Sequence, residues 1–85
     1  MCDKKELTDN ADKLHTTEAG VVRIRKNTGI TDADIVEYCR KLVLRPDCGI
    51  YRKGKNWYCE SKGIRLTINA RSFTVITAHT MKNQD

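Results

Sequence analysis

Residues 48–79 read CGIYRKGKNWYCESKGIRLTINARSFTVITAH. Apolar and polar residues alternate through this stretch, and turn-forming pairs interrupt it at Lys53-Gly54, Lys62-Gly63 and Ala70-Arg71. A period of two broken by short turns marks antiparallel hairpins. With a two-residue loop at each break, the first hairpin sets Ile50 against Trp57 and Cys48 against Cys59. The second sets Cys59 against Leu66 and Trp57 against Ile68. The third sets Ile68 against Phe73 and Leu66 against Val75. All three registers gather Cys48, Ile50, Trp57, Cys59, Ile64, Leu66, Ile68, Phe73 and Val75 on one apolar face. A slip of one residue turns a strand over, so this agreement predicts a four-stranded meander. The opposite face is then Tyr51, Lys53, Asn56, Tyr58, Glu60, Arg65, Thr67, Asn69, Ser72, Thr74 and Ile76. In this register Thr77 stays in phase with the core.

Before Pro46, which cannot continue a helix, the apolar period is helical. Leu7, Ala11 and Leu14 share one stripe, so a short helix is expected from about Lys4 to Lys13, fraying over residues 1–13. Thr16 and Thr17 can cap a second helix with Glu18 in its first turn. Val21 and Ile24 lie on one face of it, with Val22 beside them, and Gly29 ends it. Thr31 is expected to cap a third helix, with Asp32 and Asp34 at its positive end. Ile35, Cys39 and Leu42 form its core stripe, widened by Val36 and Val43. The expected fold is α+β: two or three N-terminal helices packed on one face of a four-stranded antiparallel meander. It occupies residues 1–85 as a single domain, with 81–85 as a disordered tail.

The charge is lopsided. Residues 48–85 hold seven Lys and Arg (52, 53, 55, 62, 65, 71, 82) against two acids (60, 85), a balance of +5, whereas residues 1–47 hold nine of each. A sheet bearing the whole net charge suits a polyanion. No apolar run approaches the roughly 20 residues of a membrane span, and Met1–Asn10 lacks the apolar segment of a secretory signal. A cytoplasmic setting, in the producing or a host cell, is expected. Cys2, Cys39, Cys48 and Cys59 are then reduced thiols. They contain no C-x-x-C pair, so no metal or other cofactor is expected. Cys48 and Cys59 would be cross-strand neighbours.

The hairpin tip Arg52-Lys53-Gly54-Lys55-Asn56 concentrates cations that can reach phosphates, and Tyr51 and Tyr58 on the adjoining face can stack bases. Arg65 adds a fourth cation. Cleavage of RNA by its own 2′-hydroxyl at neutral pH needs a base, an acid and a cation. Histidine titrates in that range, and the chain has two, His15 and His79. His79 is assigned the acid or base role, with His15 as its partner.

Three blocks, Leu14-His15-Thr16-Thr17-Glu18 with Arg23-Ile24, then Arg52 to Tyr58, then Ile68 to His79, resemble a small bacterial domain-of-unknown-function family, family 3781. The element order, and the ending Thr77-Ala78-His79, are also similar to the barnase–EndoU–colicin–RelE group of ribonucleases. That looser resemblance implies active residues on the open sheet face and at the end of the last strand, which points to His79, Thr77, Arg52, Lys53 and Arg65.

Together these readings predict an RNA-engaging protein, its concrete form a metal-independent endoribonuclease of the toxin type, with RNA favoured over DNA and an antitoxin as protein partner. The alternative is a non-catalytic inhibitor, encoded by a phage or mobile element, that binds a host defence nuclease or other nucleic-acid-handling protein. The residues leave the oligomeric state open.

Overall fold

A computed structural model of the chain describes residues 3–81, with side chains from Lys5 onward. Cys2 and residues 82–85 of the expected tail lie outside the described residues. The Met81 N–H donates to Gly63 O at 2.8 Å.

The first apolar stripe folds as expected in position but not in one piece. Helix α1 covers Asp3–Asp9, and a single 3₁₀ turn, Ala11–Lys13, follows it. Asn10 breaks the helix, its side-chain amide donating to Glu6 O. Leu7, Ala11 and Leu14 are all buried.

Helix α2 covers Glu18–Thr28. Thr17 caps it, its hydroxyl accepting from Gly20 N at 3.0 Å, and Gly29 ends it at φ 75. That left-handed conformation costs glycine nothing. Ile24 is buried, but Val22 is 65% exposed and does not widen the core stripe. Gly20 has a packing reason as well: a Cβ there would strike the Thr16 hydroxyl, which donates to Val75 O at 2.8 Å.

Helix α3 covers Ile35–Val43. Its cap is Asp34, not Thr31; the Asp34 carboxylate accepts from Glu37 N at 3.0 Å. The stronger acceptor, placed one residue before the apolar stripe, sets the start. Ile35, Cys39, Leu42 and Val43 are buried as expected.

The four strands are β1 (Gly49–Lys53), β2 (Asn56–Ser61), β3 (Ile64–Asn69) and β4 (Val75–Thr80), ordered β1-β2-β3-β4 with every pair antiparallel. The second register is as expected: Trp57 faces Ile68 and Cys59 faces Leu66. Lys62 and Gly63, at φ 53 and 75, form the turn with two left-handed residues that favours a tight hairpin. The first register differs by one loop position. Gly54-Lys55 is the loop, Lys53 pairs with Asn56, and Ile50 faces Cys59 rather than Trp57. Gly54, at φ 62, takes the first loop position that only glycine fills easily. The shift moves each partner by two residues, so every side chain keeps its face.

The third register is different in kind. The Asn69 side-chain oxygen accepts from the N–H groups of Arg71 and Ser72, and Asn69 N donates to Thr74 O. This builds a longer turn than the two-residue loop the sequence suggests. Ile68 pairs with Val75, yet Thr67 pairs with Thr77, so Ile76 is an extra residue in β4. This β-bulge reverses the phase of everything after it. Ala78 turns into the core, fully buried opposite Leu66, while Thr77 and His79 turn to the other face.

One core results. Leu7, Leu14, Ile24 and the α3 stripe pack against Cys48, Trp57, Cys59, Ile64, Leu66, Ile68, Val75 and Ala78. Helix α2 runs beside β4: Ile24 reaches into this core, and the Asn27 amide donates to Thr77 Oγ1 at 3.3 Å. Cys39, Cys48 and Cys59 are buried.

Candidate active site

Three facing residues on the open side of the sheet form one cross-strand row: Glu60 on β2 pairs with Arg65 on β3, and Arg65 with His79 on β4. Strand spacing puts the outer two Cα atoms roughly 10 Å apart, with the arginine between them. Arg65 Nε donates to Glu60 Oε2 at 2.9 Å, and the Tyr51 hydroxyl donates to the same oxygen at 3.0 Å. Both bonds fall on Oε2; Oε1 receives neither. The Tyr51 phenol is held above its usual pKa by its bond to the Glu60 carboxylate. Glu60 is thus a fixed carboxylate, Arg65 a fixed cation, and His79 an exposed imidazole in line with them.

The next row on the same face is Tyr51, Tyr58, Thr67 and Thr77. Tyr51 and Tyr58 are cross-strand partners, and their rings stack with centroids 5.5 Å apart at 23°. Because β1 is the edge strand, no strand lies beyond Tyr51. Tyr58 stacks against the Tyr51 ring, and 42% of Tyr51 is exposed. A third row holds Lys53, Asn56 and Asn69.

The expected cations do not act as one group. Arg65 is ion-paired to Glu60, and Lys53 stands exposed on the open face. Arg52 lies on the helix side of the sheet, 5.7 Å from the Trp57 ring, its Nε donating to Gly54 O. Arg52 and Lys55 line a pocket at the end of the sheet together with Arg71, Asn69 and Ala70.

The two histidines do not meet. His15 forms a bridge with Thr74 before β4, its ring nitrogens 3.0 Å from Lys13 O and 3.0 Å from Thr74 Oγ1. Five residues of extended chain, on the order of 15 Å, separate Thr74 from His79. The group that shares a row with His79 is Glu60. Sequence reading had put Glu60 on the open face but gave it no role, because the third register hid its alignment with His79. Arg71 was likewise counted only as charge. Among the described residues, no three His, Cys, Asp or Glu side chains gather so as to hold a metal ion. No helix of the described residues is long and apolar enough to cross a membrane.

A family model described as "Protein of unknown function (DUF3781)" matches residues 8–79. The chain belongs to that family. No curated protein and no solved structure matches it. The DUF3781 match takes in all four strands up to His79, so it spans the Glu60–Arg65–His79 row, the tyrosine pair and the basic pocket.

Proposed function

We propose that this protein is a metal-independent endoribonuclease whose chemistry is carried by Glu60, Arg65 and His79. The supporting observation is their single row across three strands of an open face, with stacked tyrosines alongside. The Glu60 carboxylate takes the proton from a ribose 2′-hydroxyl, and the 2′-oxygen attacks the adjacent phosphorus. The bond from phosphorus to the 5′-oxygen breaks as the His79 imidazolium donates its proton to that oxygen. The products are a 2′,3′-cyclic phosphate and a 5′-hydroxyl. Arg65, between the two, faces the charge that builds on the non-bridging oxygens. A base stacks on the part-exposed Tyr51 ring, an interaction worth roughly 1–3 kcal/mol. The mechanism uses RNA's own hydroxyl, which is why RNA rather than DNA is the substrate. The setting proposed is the cytoplasm of the producing or a host cell, with an antitoxin as the protein partner.

The test is incubation of the purified protein with RNA in EDTA. Wild type cleaves to cyclic phosphates. Glu60→Gln, which keeps an acceptor for Tyr51 and Arg65, and His79→Ala each lose roughly 10²–10⁴-fold in rate. His15→Ala cleaves as wild type does. Intact RNA, or variants at 60 and 79 that cut normally, ends this reading.

A further inference from the structure

The pocket at the end of the sheet lies away from the catalytic row. It encloses ≈ 500 Å³ and is lined by Arg52, Lys55, Asn69, Ala70 and Arg71. Two turns form it. The loop of the first hairpin and the turn after β3 are tied where Ala70 N donates to Lys55 O at 2.8 Å. What the pocket offers a ligand is almost wholly donors. Three of its five residues are cations, none in an ion pair among the described residues, and no carboxylate lines it. The Asn69 oxygen is taken up by Arg71 N, Ser72 N and Ser72 Oγ, which leaves its amide N–H groups to give. No aromatic ring lines the pocket.

We propose that this pocket binds a terminal phosphomonoester of a nucleic acid strand whose neighbouring bases lie on the open face. The proposal rests on the reading of that face as a nucleic-acid surface, though not on cleavage. A phosphodiester within a chain carries one negative charge. A terminal phosphate carries close to two at pH 7, its second pKa being about 6. Three cations in no ion pair among the described residues, with an amide donor, match the dianion better than the monoanion. Asn69 belongs to the row next to Tyr58, roughly 7 Å away along the strand, so the pocket adjoins the tyrosine stack. An end phosphate seated here fixes how far along the strand the catalytic row falls.

The experiment uses deoxyhexamers, which lack the 2′-hydroxyl and cannot be cut by the route above. Binding to the full chain is measured for hexamers carrying a 5′-phosphate, a 3′-phosphate or neither, with inorganic phosphate as competitor. One phosphorylated end is expected to bind about tenfold or more tighter than the hydroxyl form, and which end does so assigns the strand's direction. The advantage grows from pH 5.5 to 7.5 as the phosphate loses its second proton, and it disappears in Arg71→Ala and in Lys55→Ala. Both side chains are exposed, so neither change disturbs the core. Equal binding of all three hexamers, or a preference that survives both substitutions, overturns the proposal. If the preference appears but RNA is never cleaved, the catalytic reading fails and the end-binding pocket stands.

Discussion

Glu60 shows how little a residue's identity says until its neighbours are placed. In the sequence it is one of two acids in a basic half. In the fold it accepts from Tyr51 and Arg65 and shares a row with His79. At the same scale, burial raises the Cys39 thiol from 9.0 to about 12, while a hydrogen bond with Cys48, and then burial, pushes the Cys59 thiol up. A raised thiol pKa leaves the folded state holding a proton that the unfolded chain has released. Stability from Cys39 is therefore complete below pH 9 and is lost as pH rises from 9 to 12. Denaturant titrations across that window should show a fall in stability that is shallower in Cys39→Ala, by up to about 4 kcal/mol at the upper end. At pH 8 both buried thiols should resist alkylation until the protein unfolds.

Among the elements, α3 makes the cleanest case. Its start depends on the Asp34 carboxylate, so Asp34→Ala should cost about 1 kcal/mol and lower Tm by roughly 4–8 °C in a domain of this size. Thr31→Ala should leave Tm nearly unchanged, and equal losses from the two would show that the cap is misassigned. Helix α2 is placed by close approach: Gly20 admits the Thr16 hydroxyl that holds Val75 O. The strands owe their faces to alternation and their alignment to turns. The first and second turns use glycine at positive φ, while the third is organised by the Asn69 side chain and includes Phe73 at φ 60.

For the whole molecule, the uneven charge predicts salt dependence. Lys53 on the open face and Arg52, Lys55 and Arg71 at the pocket amount to about four phosphate contacts. Binding of single-stranded RNA to Glu60→Gln, which does not cut, should then fall with log–log slope near −3 in salt concentration. A slope near zero would show that these cations do not meet phosphates. The same layout keeps the row and the pocket apart. The helices seal one face, the row of Glu60, Arg65 and His79 lies on the other, and the basic pocket stands at the end.

The local pattern alone determined the α+β class, helices α2 and α3, the order of the four strands, the second register and most of the core. These depend on periodicity and on turn residues a few positions apart, and short-range sterics enforce both. It also put Tyr51, Tyr58, Glu60 and Arg65 on one face, because an error of two residues in the first register preserves phase. It could not place His79. Without the bulge at Ile76, alternation from Val75 carries Thr77 and His79 toward the core. With it, the small Ala78 is buried opposite Leu66 and the imidazole joins Glu60 and Arg65. An extra residue in a strand has no period to announce it. It is chosen by which side chains fill the space under the helices, and that choice exists only once the layers are packed.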